Sequence, residues 1–284
     1  MNHTESPPVS EKDKNVLSTA SNDQQKFHSP RKMEKIVQEG IILAGGAVAI
    51  LLQVAEPGVA KGVDEHSNFA YRPMDRLRTT MTYVYCMVFG TEKEKETVVD
   101  MVHRAHTSVN GPGYSADNPK LQLWVAATLY AVAIDLYERT FGSLDAEESE
   151  QIYREYSVLA ESLRVPPDLW PTSRQEFWKY WDHQIATLDI TQHAKNVAQD
   201  LLRNRKVPLL IRALLPMIRL TSTEMLPTRL RDAYELRSSK TRNRMHRLLI
   251  AITRATYPRL PKSLRTYPMR YYLKDMRRRL RDAA

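Results

Sequence analysis

From Ile36 to the C-terminus, apolar residues recur at three- and four-residue intervals, and runs that alternate polar with apolar are scarce. A chain patterned this way buries one side of helix after helix and offers a sheet almost nothing to pair, so the expected fold is all-α. The punctuation agrees: Gly90, the Asn110-Gly111 pair and prolines at 208, 216, 227, 258, 261 and 268 supply the stops. RPMDRLRTTMTYVYCMVFG reads as a buried helix closed by Gly90. TEKEKETVVDMVHRAHTSVNG reads as an amphipathic helix whose acidic first turn suits the positive end of the helix dipole. GPGYSADNP follows as a tight loop, and LQLWVAATLYAVAIDLYERTF, apolar nearly all round, as the central helix. The earlier run IILAGGAVAILLQVA is about fifteen residues long against the ~20 needed to span a bilayer. Broken by Gly45-Gly46, it reads as a first core helix, with EPGVAKGVDEHSNF after it as a loop or short helix.

No internal repeat and no glycine or serine linker divides this pattern, so residues 35–284 are expected to form a single large helical domain. Residues 1–34 are polar, proline-bearing and nearly free of large apolar side chains, as in a disordered tail. They hold no apolar stretch of the kind a signal peptide needs, which points to a cytoplasmic protein. With 42% apolar residues among 284, the chain can build a sizeable core. The lone cysteine, Cys86, excludes an internal disulfide framework and cysteine-rich metal clusters, and it fits a reducing compartment. The net charge of +9 is concentrated after Arg203 without any nucleic-acid-binding motif, so nucleic acid is not an expected partner. That basic region reads mainly as a solvated helical surface; peripheral contact with an acidic membrane surface is the alternative it leaves.

Two polar residues fall where apolar ones belong. At about 100° per residue, Val98, Val102, Ala105 and Val109 share one helix face; His106 lies among them between Val99 and Val102, while His103 points about 60° farther toward solvent. An inward histidine is ordinarily a core residue with partnered ring nitrogens; the alternative is a metal or haem ligand. In the preceding helix Arg76, Thr80, Tyr83 and Met87 share a face with Val84, so a stripe that should be buried begins with a guanidinium. A buried arginine needs an anion. Asp64, Glu65 and Asp135 are candidates for a structural ion pair, and a ligand carboxylate is the functional alternative. No phosphate loop, nucleophile elbow or i, i+4 histidine pair accompanies them. Glu65 to Ser67 reads as a helix cap or a pocket wall. The group Trp170, Phe177, Trp178, Tyr180 and Trp181 reads as core packing, with a substrate-pocket role as the alternative.

GGAVAILLQVAEPGVAKGVDEHSNF, RLRTTMTYVYCMVFGT, HTSVNG, YSADNPKLQLWVAATLY and EMLPTRLRDAY, in that order, resemble the family of rubber oxygenase (latex clearing protein) catalytic domains and mpaB-like oxygenases. The resemblance runs from about Gly45 to Tyr267. It implies an all-helical domain with a buried pocket for heme b and an axial histidine in the motif His, two residues, Val, one residue, Gly, which His106, Val109 and Gly111 meet. An arginine and a threonine earlier in the family pattern carry over to Arg76 and Thr80. Rubber oxygenases cleave a double bond of polyisoprene with dioxygen, and mpaB-like enzymes are linked to oxidative steps on prenylated or polyketide natural products. The chain departs from the pattern at Thr79, where the rubber enzyme has a distal lysine, and at Glu56 and Ala126, where many relatives carry histidine. The implied protein is a haem-dependent oxygenase that takes dioxygen and a small apolar metabolite, in the manner of secondary metabolism. His106 would bind the metal, with a carbonyl or carboxylate on its other ring nitrogen. Arg76 would pair with a haem propionate or steady the oxygen, and Thr79 and Thr80 would offer hydroxyls to catalysis. The competing expectation is a haem-free helical binding or scaffold protein of the same fold.

Overall fold

The computed structural model describes residues 31–66, 73–203 and 209–282. Within them the helices run α1 Met33–Val37, α2 Gly46–Gln53, α3 Pro57–His66, α4 Pro73–Phe89, α5 Glu92–Thr107, α6 Pro119–Phe141, α7 Ala146–Tyr156 and α8 Val158–Glu161. They continue as α9 Arg174–Thr187, α10 Gln192–Arg203, α11 Leu209–Met225, α12 Thr228–Ala233, α13 Lys240–Thr256, α14 Lys262–Arg265 and α15 Tyr267–Asp282. The one sheet among the described residues is a hairpin of β1 Asn110–Gly111 and β2 Tyr114–Ser115, with Gly111 opposite Tyr114. An all-α domain is what the helical periodicity predicts, and the expected tight loop at GPGYSADNP contains this hairpin.

The core forms around α6. Asn118 caps its start by accepting from the Lys120 N–H, and Pro119 occupies the first turn, where a missing N–H costs nothing. Trp124, Ala127, Tyr130, Ala131 and Ile134 face inward on several sides, which is why the helix reads as apolar nearly all round. The expected first core helix divides at its glycines into a 3-10 segment, Gly40–Gly45, and α2. A Cβ at Gly45 would lie 2.4 Å from Val132, so only glycine lets this segment lie on α6. The aromatic residues of α9 pack as core: Phe177 is fully buried and meets Tyr130 edge-on at 4.8 Å. One hydrophobic cluster runs from Met33 to Met276, so the described chain is a single unit.

The order begins earlier than residue 35. Met33 is completely buried, and Glu155 of α7 accepts from the backbone N–H groups of Lys32 and Met33, each at 2.7 Å, fastening the first turn of α1. The rest of the expected tail, residues 1–30, lies outside the described residues. No single described helix is long and apolar enough to cross a membrane.

Candidate active site

Helix α4 positions Arg76, Thr79 and Thr80, and α5 positions His106. Two other faces of α4 are committed to packing. Arg78 grips Asp275 of α15 through two bonds of 2.7 Å, and Thr82 accepts from Arg279 of the same helix. Tyr83 donates to the Leu159 carbonyl of α8. Helix α5 starts with a reciprocal cap between Thr91 and Glu94, and Arg277 of α15 braces Glu94 from outside. Both site helices are therefore held by the same C-terminal helix.

On α5 the inward stripe runs Lys95, Val98, Val99, Val102 and His106. Its first part is buried, whereas Val102, His106 and Val109 are half-buried and Ala105, expected in the buried face, is exposed. Helix α5 packs on α4, and the hairpin that follows it packs on α3. There the His106-Val109-Gly111 motif finds a structural reason. Val109 packs against Gly62 of α3, and a Cβ at Gly111 would come within 2.8 Å of the Tyr114 ring that folds back over it. Tyr114 donates to Glu65 and hydrogen-bonds His66, each at 2.7 Å, so the polar cluster after the first core helix is a clasp closing α3 on the hairpin. The bond to Glu65 pushes the Tyr114 phenol up to about 12.

His106 Nδ1 is buried without a hydrogen-bond partner, and no hydrogen bond among the described residues engages Nε2. The carbonyl or carboxylate expected on its second nitrogen is absent from the described residues. Burial holds the His106 pKa below the ordinary imidazole value; the Asp117 carboxylate opposes this, and His103 and Arg76 reinforce it. Arg76 is therefore within electrostatic reach of His106. The Arg76 guanidinium is itself desolvated, which lowers its pKa, and it has neither a hydrogen bond nor an ion pair among the described residues. The candidate counter-ions are spoken for: Asp64 binds His193 and Asn196 of α10, Glu65 binds Tyr114, and Asp135 binds Arg139. The internal ion pair that the sequence left open as a bland explanation for Arg76 is thus not formed with any of them.

Thr80 is half-buried, and no hydrogen bond among the described residues joins it to Arg76 or His106. Thr79 is exposed and donates its hydroxyl to the Asp75 carbonyl at 2.9 Å, which leaves that oxygen able to accept but not to donate. His103 is within electrostatic reach of His106 and also has a buried, unpartnered nitrogen, Nε2; it lines an open cleft of about 450 Å³ with Asp100, Arg104, Thr107, Asp117 and Arg164. Two contributors were not singled out from sequence. Asp117, in the loop before α6, sits close enough to both histidines for its charge to oppose the lowering of their pKa values. Lys95 is 1% exposed, and its place eleven residues before His106 on the same stripe was the only signal of its burial.

No three His, Cys, Asp or Glu side chains among the described residues converge to hold a bare metal ion. Residues 33–255 match the family described as ER-bound oxygenase mpaB/B'/Rubber oxygenase, catalytic domain. The chain belongs to this family. As a member of the mpaB/rubber oxygenase family it falls among oxygenases, hence oxidoreductases, and the matched stretch takes in Arg76, Thr80 and His106. It is 31% identical over 245 residues to the uncharacterized protein Mb2261 of Mycobacterium bovis (strain ATCC BAA-935 / AF2122/97), covering 83% of this chain and 96% of that one. The same figures hold for the uncharacterized protein Rv2237 of Mycobacterium tuberculosis (strain ATCC 25618 / H37Rv). No solved structure matches the chain.

Proposed function

We propose that this mpaB/rubber oxygenase chain is a haem-dependent oxygenase of a small apolar metabolite, in which His106 would hold the haem iron. The observation that carries the reading is the imidazole of His106 with no hydrogen bond on either nitrogen, beside an Arg76 guanidinium with no counter-ion. An unpartnered buried imidazole nitrogen is costly, and a desolvated guanidinium within electrostatic reach of it suits an anionic, metal-bearing ligand. A bare ion would want three or four protein donors, whereas haem iron asks for one. Heme b, when bound, supplies the dioxygen chemistry that no side chain here can perform.

The remaining roles follow from the residues themselves. Burial keeps His106 neutral at pH 7, the state in which an imidazole can ligate a metal. Arg76 stays protonated despite desolvation, so it can neutralise a propionate. Thr80 can donate a hydroxyl proton, while Thr79 can only accept. Val99 and Val102 give the His106 side of α5 an apolar character that suits an apolar substrate. Cleavage of a carbon–carbon double bond would place both atoms of dioxygen in the carbonyl products without an external reductant; insertion of one atom would require two electrons from a donor.

The test is the absorbance spectrum of protein expressed with ample haem. Wild type should show a Soret band, His106→Ala should lose it together with turnover while its helical circular dichroism persists, and His103→Ala should keep it. A His106→Ala protein with full haem and full turnover refutes the ligand assignment. A colourless wild type refutes the haem reading and favours a haem-free binding or scaffold protein.

A further inference from the structure

Among the described residues the exposed large apolar side chains are Met101 and ten more, all beyond residue 208. They concentrate where the charge is most one-sided: residues 236–274 hold eleven lysines and arginines and no aspartate or glutamate, more than the +9 of the whole chain. Helix α13 shows the arrangement most clearly. Its inward side is His246, Leu249, Ile250 and Thr253, of which only His246 is fully buried, against α6 and α11. Its opposite side carries Met245, Leu248 and Ile252, exposed by 55%, 60% and 51%, with Ala251 and Ala255 between them. Arg244, Arg247 and Arg254 run along one edge of this stripe. Neighbouring α11 also exposes Leu214 and Met217. A helix that sends its aliphatic residues outward beside a row of arginines has the polarity of a segment lying in a lipid interface, its apolar stripe among acyl chains and its cations at the headgroups.

We propose that the outer face of α13, with the adjoining exposed face of α11, is a membrane-binding surface for a bilayer carrying anionic lipid. Charge selects this occupant. A second copy would set the same acid-free segment against itself, and cation would meet cation. A lipid surface needs no matched carboxylates, only net negative charge and an apolar layer beneath it, and the stripe offers no polar group that would set the register of a protein partner. The surface is independent of the haem assignment, so either can fail alone.

The full-length protein is tested by co-sedimentation with phosphatidylcholine vesicles and with vesicles that also contain phosphatidylserine. Binding should require the anionic lipid and weaken with added salt. Met245→Ser/Leu248→Ser/Ile252→Ser should reduce it by about tenfold or more, and so should Arg244→Gln/Arg247→Gln/Arg254→Gln. All six positions are exposed, so both variants should retain the wild-type far-ultraviolet circular dichroism. Wild type that stays in the supernatant at low salt overturns the proposal. So does full binding by the serine variant, which would reduce the interaction to adsorption of charge. A dimer in sedimentation velocity that the serine variant dissolves would assign the face to a second copy and likewise overturn it.

Discussion

His106 has no hydrogen bond to lose, and this fixes what its removal costs. A core histidine with satisfied nitrogens would leave buried partners stranded, a loss of about 1–3 kcal/mol. Here His106→Ala strands nothing, so in urea titrations of haem-free protein it should unfold within about 1 kcal/mol of wild type. Burial is the largest cause of the lowered pKa values of His103, His106 and His246 alike. The unfolded chain therefore binds more protons than the folded one between the folded and unfolded values. Stability should rise with pH through that window and fall as pH drops below about 6.5, a slope that His103→Asn/His106→Asn should flatten. Lys95 is a second kind of buried cation, an ammonium whose pKa burial lowers without any ion pair among the described residues. Lys95→Met should stabilise the fold by about 1–2 kcal/mol at neutral pH in thermal melts, since methionine fills similar space without a charge to desolvate.

At the level of elements, the site depends on how α4 is held. Asp275 of α15 takes Arg78 at 2.7 Å, Arg278 at 2.9 Å and Arg279 at 3.1 Å, and its side chain is only 7% exposed. The Arg78 bond, then the surrounding guanidinium charges, hold its carboxyl below the usual range against the cost of burial. Asp275→Asn leaves three arginines facing a neutral amide and should cost about 2–4 kcal/mol in the denaturant midpoint. The carboxylate's contribution is complete above the unfolded aspartate pKa and disappears as pH falls through the lower folded value, so the gap between variant and wild type should close in acid. The sequence showed α4, α5 and α6 nearly as they stand, because each combines a cap or an acidic first turn with a long apolar stripe. It missed the hairpin after α5, since two strands of two residues are too short to show alternation.

At the level of the molecule, α15 lies beyond residue 255, where the family match ends, yet it is part of the same core: Leu273 and Met276 are buried in the cluster that contains Met33 and Trp124. A chain ending at Thr256 exposes that seam and removes both Arg78–Asp275 and Glu94–Arg277. It should lose cooperative urea unfolding and near-ultraviolet circular dichroism. Retention of both by the shortened chain would show α15 to be an accessory.

The all-α fold, the succession of core helices and the odd placement of Arg76 and His106 on apolar stripes were legible in sequence, because period and caps are local properties of the chain. Tertiary packing alone decided the rest. Whether Arg76 finds Asp64, Glu65 or Asp135 depends on which side chains reach those carboxylates first, and they turn out to be His193, Tyr114 and Arg139. The same holds for the neighbours that depress His106 and for the outward turn of Met245, Leu248 and Ile252. An apolar stripe is identical in sequence whether it meets a core or a solvent, and only the positions of the other helices distinguish the two.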